Sequence, residues 1–150
     1  MKTIKSWEST YAVCLVALKL RDIEVVYGFL NKYFANREAL NLDYAIHPED
    51  ESYVFKSERE MVAVFADINS SDQLFFWNEK DEPKKYWMAG VNFISDGATI
   101  FSITIPANED SELNLLSSLK NHFKVEEGIV VYNKYPSFES LSEFYNLSKN

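Results

Sequence analysis

The sequence predicts an α/β domain in which helices pack on a mixed β-sheet. Three observations support this: strand-like and helix-like apolar patterns alternate along the chain, an aromatic hairpin lies in its middle, and the composition provides a large core. Of the 150 residues, 47% are hydrophobic and 15% aromatic, with only four Gly and four Pro. A chain of this length and content can bury enough surface to offset its ordering entropy. We therefore expect one domain over residues 1–150, with an α+β arrangement as the alternative.

The first half of the chain is predicted to form a strand, a helix, a strand and a helix. Residues 11–18 are a continuous apolar run, and Asp22 can cap a helix that has an apolar stripe at helical spacing. Alternation over residues 40–44 predicts a second strand. Ser57 and Glu60 have the spacing of a capping box, which predicts the second helix.

The second half is predicted to have the same order of elements. Residues 100–105 alternate between apolar and hydroxyl side chains, which is typical of a half-buried strand. Ser111 is expected to cap a helix that ends near Phe123, and the β-branched run 129–132 predicts another strand. The Pro-Ser pair at 136–137 is expected to open a last helix.

Apolar spacings match between residues 11–67 and residues 99–147. Internal duplication is one interpretation, and chance similarity between two βαβα stretches is the other. Between these halves, residues 74–77 and 86–94 predict an aromatic hairpin. The Asp-Gly pair at 96–97 predicts a tight turn into the next strand, which completes a three-stranded antiparallel meander.

The charge and the single cysteine exclude several classes of function. A net charge of −8 repels phosphate backbones, so we expect no binding to nucleic acid or to anionic membranes. Cys14 lies in an apolar run, which indicates a buried hydrophobic residue with no disulfide partner. That run is too short to cross a bilayer, and Glu8 interrupts the segment before it, so we expect a cytoplasmic protein without a signal peptide.

No catalytic motif is found in the sequence. The four glycines are isolated, no serine has a nucleophile-elbow context, and no zinc-protease signature occurs. His47 lies beside the carboxylates of residues 49–51, where a metal site and solvated loop charge are the two interpretations; the second is preferred because only one loop contributes. His122 is expected to be a partly exposed residue at a helix end. We predict no catalytic residue, no metal and no cofactor.

Carboxylates cluster in three predicted loops, and aromatic residues flank two of the clusters. Acidic groups around Trp and Tyr anchors suit a surface that binds a basic protein, although the aromatic rings could instead face the core. The candidate partner-binding residues come from the first two clusters and the hairpin: Glu49, Asp50, Glu51, Trp77, Glu79, Asp81, Glu82, Tyr86 and Trp87. The third cluster is Glu109, Asp110 and Glu112.

These acidic loops, the aromatic hairpin, the lack of catalytic machinery and the run 128–133 followed by 137–141 resemble those of immunity proteins of bacterial toxin–immunity systems. Proteins of that type bind and block a cognate toxin, often a basic nuclease. The resemblance implies a non-catalytic inhibitor that occludes a basic protein partner. The alternative is a small-molecule-binding or regulatory domain with a cleft between the two halves. Both a monomer and a homodimer paired through strand edges are compatible with the sequence.

Overall fold

Five strands and four helices make up the described part of the chain. The structure is a computed structural model, and it describes residues 10–42, 55–67, 72–80 and 86–149. The elements in chain order are β1 (Tyr11–Leu18), α1 (Ile23–Tyr33), α2 (Glu58–Asp67), β2 (Gln73–Asn78), β3 (Met88–Phe93), β4 (Thr99–Pro106), α3 (Glu109–Phe123), β5 (Ile129–Tyr132) and α4 (Leu141–Ser148). The predicted class, helices packed on a sheet, is confirmed.

The strands form one sheet in the order β2-β3-β4-β1-β5, and each pairing between neighbours is antiparallel, so the sheet of the described strands is not mixed as predicted. The predicted meander is confirmed as β2-β3-β4. Its second turn uses Gly97 at a φ of 90°, a backbone conformation that glycine adopts without strain. Strands β4 and β5 both lie antiparallel to β1 on its two sides, so they run parallel to each other with α3 as their connection. This arrangement is a split β-α-β unit.

Both faces of the sheet are covered, which buries its centre completely. Helices α1, α2 and α3 pack on the face that contains Cys14 and Ile103, while α4 packs on the face that contains Leu15 and Ile100. The prediction that β4 is half-buried is therefore wrong, because Ser102 and Thr104 are buried as well. Tyr135, from the segment after β5, reaches across this second face and its hydroxyl lies 2.7 Å from the Ser102 hydroxyl.

A strand was predicted at residues 40–44, of which the structure describes residues 40–42. No strand forms at these three residues. The backbone N–H of Leu40 donates instead to a carboxylate oxygen of Glu58 in α2, at 2.8 Å. The Glu58 side chain therefore accepts the hydrogen bond that a backbone carbonyl of a neighbouring strand would otherwise accept. No strand lies between α1 and α2 among the described residues, whereas the strand-helix-strand-helix order over residues 99–147 is confirmed.

Two helix caps were predicted correctly and two were misplaced. Asp22 caps α1 and Ser57 accepts from the amide of Glu60, as expected. Helix α3 is capped by Asn108 instead of Ser111, because the Asn108 side chain accepts from the Ser111 amide at 3.0 Å. Helix α4 begins at Leu141 with Ser140 as its cap, since residues 136–138 lie in the segment packed on the sheet.

Candidate functional site

An open groove of about 520 Å³ lies beside the first three turns of α3. One wall is a stripe of residues on this helix and its cap: Asn108, Ser111, Asn114, Leu115 and Ser118. The opposite wall comes from Ile105 and Pro106 at the end of β4 and from Tyr86, which lies two positions before β3. The groove is thus assembled from two separate segments of the chain, Tyr86 and residues 105–118.

The helical wall of the groove follows from the amphipathic pattern of α3. Leu115 and Leu119 are buried against the sheet, while Ser111 and Asn114 lie on the exposed side of the same helix. Side chains three, four or seven positions apart share a helix face, so the polar residues form a continuous row. From residue 108 to residue 118 the row is about 15 Å long at 1.5 Å per residue. The groove therefore has an elongated shape.

Aromatic packing positions the other wall. The Tyr86 ring is half-buried, with its centroid 6.1 Å from the ring of Tyr33 and 5.9 Å from that of Phe34. The Tyr33 hydroxyl lies 2.6 Å from the Ser118 hydroxyl, which links α1 to α3 at the far end of the groove. Burial raises the pKa of Tyr33, so its hydroxyl stays protonated at neutral pH. These contacts hold the Tyr86 ring rigidly against the groove.

Trp87 places a large ring at the surface next to Tyr86. Its side chain is 39% exposed, and its ring centroid lies 6.3 Å from that of Tyr11. The backbone N–H of Trp87 donates to the carbonyl of Thr104 at 2.8 Å, which extends the β3-β4 ladder by one hydrogen bond. The ring is thus partly exposed while its backbone is fixed to the sheet.

The described residues that line the groove are uncharged, but two carboxylates lie in the first turn of α3, directly after the lining residue Asn108. Among the described residues, those that line the groove have neutral side chains. Glu109 and Asp110, in the first turn of α3, are exposed and follow the lining residue Asn108 directly in the chain. Their charges compensate the partial positive charge at the start of the helix. With the net charge of −8, they favour cations over anions near the groove.

Glu112 behaves differently from the other members of the third acidic cluster. It was predicted to be a solvated loop residue, but it is 1% exposed and lies inside α3. Its carboxylate accepts hydrogen bonds from the backbone N–H of Asn108 at 2.8 Å and from the hydroxyl of Tyr132. Burial raises the pKa of Tyr132, and the contact with the carboxylate raises it further. Glu112 therefore anchors the start of α3 to β5.

The structure does not assemble the predicted partner-binding set. Trp77 is in the core at 1% exposure, so the predicted surface role of its ring is wrong. Tyr86 is half-buried, Trp87 is exposed, and Glu79 is half-buried at the end of β2. The remaining predicted residues lie outside the described ones: Glu49, Asp50, Glu51, Asp81 and Glu82. The polar row of α3 was missed, although its helical spacing beside the apolar stripe could have indicated it.

The side chains that could react chemically are packed into the fold or lie outside the described residues. Burial raises the pKa of the Cys14 thiol to about 12, which confirms that it is a buried core residue and leaves almost no thiolate at neutral pH. His122 is half-buried in the last turn of α3, as predicted, whereas His47 lies outside the described residues. Within the parts of the chain that the structure describes, no group of three or more His, Cys, Asp or Glu residues could hold a metal ion. In the same parts, no helix is long and apolar enough to span a membrane.

His122 makes stability depend on pH. Its ring lies 4.7 Å from the Phe123 ring and 5.9 Å from the Tyr33 ring, and burial together with the nearby Lys32 lowers its pKa below the usual 6.5. The unfolded state therefore binds a proton more readily than the folded state, so the free energy of unfolding falls as the pH drops from the unfolded pKa of about 6.5 through the lower folded pKa. We expect the urea midpoint to fall between about pH 7.5 and pH 5.5.

The variant His122→Gln should show a weaker fall in the urea midpoint over the same pH range. His47→Gln is the matched control, because it removes the other histidine of the chain. If His122→Gln keeps the full pH dependence and His47→Gln reduces it, His122 is not the titrating group.

Comparison of the chain with protein-family models, with curated proteins and with solved structures finds no match. Function is therefore inferred from the chemistry of one surface. We define the α3 surface as the groove together with Glu109 and Asp110. The Trp87 ring does not line the groove; it packs on Tyr11, which belongs to the cluster on the α4 face of the sheet.

Proposed function

We propose that this protein is a non-catalytic inhibitor that binds a basic protein partner, such as a toxin or nuclease, and occludes its working surface. The observation that carries the proposal is the partly exposed Trp87 ring on a chain of charge −8 whose helix α3 begins with two exposed carboxylates, Glu109 and Asp110. Exposed tryptophan is the residue type most often found at the energetic centre of protein interfaces. Complementary charge around such an anchor accelerates association and suppresses wrong partners.

The location of the proposed interface differs from the hairpin loops expected from sequence. Trp77 cannot contact a partner from its buried position, since its indole N–H donates to Glu58 inside the protein. Tyr86 is half-buried and lines the groove beside α3, while Trp87 is 39% exposed and packs on Tyr11. The interface proposed here is accordingly the α3 surface together with Trp87.

The proposal is tested by capture and reconstitution. The tagged protein is used to capture partners from an extract of its native cells at low salt, and each partner is then purified. A basic partner should bind with a rate that falls steeply as salt rises, and its own activity should be lost in the complex. A purified partner that binds but retains full activity would disprove the inhibitor function, and a partner with no excess of basic residues would disprove the electrostatic mechanism.

Removing the exposed ring should weaken the complex strongly. We expect Trp87→Ala to lower the affinity for the captured partner about 30-fold, which corresponds to a loss of about 2 kcal/mol at an interface anchor. Leu147→Ala is the matched control, because Leu147 is 40% exposed and lies in the last turn of α4, outside the α3 surface. Calorimetric titration measures both. Equal affinities for the two variants would exclude Trp87 from the interface.

A second function, binding of a small molecule, is favoured by the size of the groove. About 520 Å³ lies within the range of roughly 300–1,000 Å³ that is usual for ligand sites. The sequence predicted a cleft between residues 11–67 and 99–147, but the groove is lined by residues of the second half and by Tyr86. A thermal-shift screen of metabolites discriminates the two functions. A ligand at 100 times its dissociation constant adds about 2.7 kcal/mol, and Asn114→Lys should abolish that shift.

A further inference from the structure

We infer that the groove along α3 receives an arginine side chain presented by an extended segment of the partner. This inference rests on the proposed function and specifies what the α3 surface recognises. It follows from the shape of the groove, from the chemistry of its lining and from the charge around it.

The shape of the groove suits an extended chain. The polar row from residue 108 to residue 118 spans about 15 Å, which accommodates four or five residues of extended backbone at about 3.3 Å each. Asn114 and Ser111 are exposed along this row, and amides and hydroxyls both donate and accept hydrogen bonds. Such groups match the alternating N–H and C=O groups of a peptide backbone.

The lining favours arginine over lysine. The Tyr86 ring provides a flat aromatic surface, and the exposed Pro106 provides apolar surface for the methylene groups of a long side chain. A guanidinium is planar and weakly hydrated, so it can stack on a phenol ring and donate to neutral oxygen atoms. An ammonium is strongly hydrated and would need a carboxylate inside the groove, where the described lining has none.

The surrounding charge selects a cation. Glu109 and Asp110 lie at the helical end of the groove, and the whole chain carries a charge of −8. An anionic ligand such as a phosphate would meet this field without a cationic side chain among the described lining residues. The positive end of the α3 dipole would attract an anion, but the two carboxylates in the first turn oppose it.

The test uses three short peptides with the ¹⁵N-labelled protein. Their sequence is acetyl-Gly-Ser-X-Ser-Gly-amide, where X is arginine, lysine or citrulline, the uncharged analogue of arginine. The arginine peptide should shift the amide signals of α3 between residues 109 and 118 and that of Tyr86. The lysine peptide should bind about fivefold more weakly, as expected for loss of the stacked cation, and the citrulline peptide more weakly still.

Two lysine variants localise the site. Asn114→Lys introduces a cation into the groove and should abolish the shifts caused by the arginine peptide. Ser117→Lys is the matched control, because it is exposed on the same helix, changes the charge equally and does not line the groove. Equal binding of the arginine and citrulline peptides, shifts located elsewhere, or no shifts at all would each overturn the inference.

The failure of this inference is separable from the failure of the proposed function. If the peptides do not bind while Trp87→Ala still weakens an inhibited basic partner, the inhibitor function stands and arginine recognition in the groove is wrong. If the arginine peptide binds in the groove but captured partners remain active in their complexes, the groove is a peptide site and the inhibitor function is wrong.

Discussion

Replacing Glu58 by alanine is expected to lower the free energy of unfolding by about 3–5 kcal/mol. The half-buried Glu58 carboxylate accepts three hydrogen bonds: from the Tyr27 hydroxyl at 2.7 Å, from the Leu40 amide at 2.8 Å and from the Trp77 indole at 3.0 Å. Each hydrogen bond to a charged group contributes about 1.5–3 kcal/mol, with losses that do not add fully. The alanine variant leaves the buried Trp77 N–H without its acceptor.

Graded substitutions distinguish this role from a simple helix effect. Glu58→Gln keeps one carbonyl oxygen and should cost about 1–2 kcal/mol, because the amide group cannot accept from Tyr27 as the carboxylate does. Glu143→Ala is the matched control: it removes an exposed carboxylate from the first turn of α4 and should cost about 0.3–1 kcal/mol. Urea unfolding followed by far-UV circular dichroism measures all three. A loss for Glu58→Ala no larger than that for Glu143→Ala would contradict the proposed role.

Glu58 also illustrates which parts of the fold could be predicted from sequence. The continuous apolar run of β1 and the Asp-Gly turn before β4 are local signals, and both predictions were correct. The alternation at residues 40–44 is equally regular, but a pattern does not specify a pairing partner. The Leu40 amide found its acceptor on α2, at a distance of 18 positions in the chain. Strand predictions of this kind depend on tertiary contacts that no local pattern contains.

The start of α3 could not be assigned from residue types alone. Asn108 and Ser111 are both good capping residues, and they lie three positions apart. The buried carboxylate of Glu112 decides between them, since it accepts from the Asn108 amide while it is also fixed by Tyr132 of β5. The choice of cap thus depends on a contact with a strand that follows the helix.

Trp77 and Trp87 show why the candidate site was also difficult to predict from the sequence. Both lie in segments where strand residues alternate between faces, and the sequence does not say which face the helices cover. Pairing of Trp77 with Ala89 places it on the face packed against α1, α2 and α3. Trp87 precedes β3 and stays partly exposed. The groove was harder still to anticipate, because Tyr86 and the distant segment 105–118 form it together.

Reversing both exposed carboxylates in the first turn of α3, as Glu109→Lys with Asp110→Lys, is expected to slow association with a basic partner about 100-fold at low salt. These charges lie at the end of the groove, where they attract the partner before contact and favour the correct orientation. The effect should shrink as salt rises, because the Debye length falls from about 30 Å at 0.01 M to about 8 Å at 0.15 M. Stopped-flow tryptophan fluorescence measures the association rate.

A control double variant tests whether the position of the two carboxylates, and not the net charge of the chain, determines the association rate. Glu126→Lys with Glu139→Lys makes the same change in net charge at two exposed sites outside the α3 surface, so it should slow association only a few-fold. The α3 variant also loses favourable helix-dipole contacts worth about 0.3–1 kcal/mol each, which thermal unfolding detects separately. Equal rates for the two double variants, with both folded, would mean that only the overall field matters and that the first turn of α3 does not orient a partner.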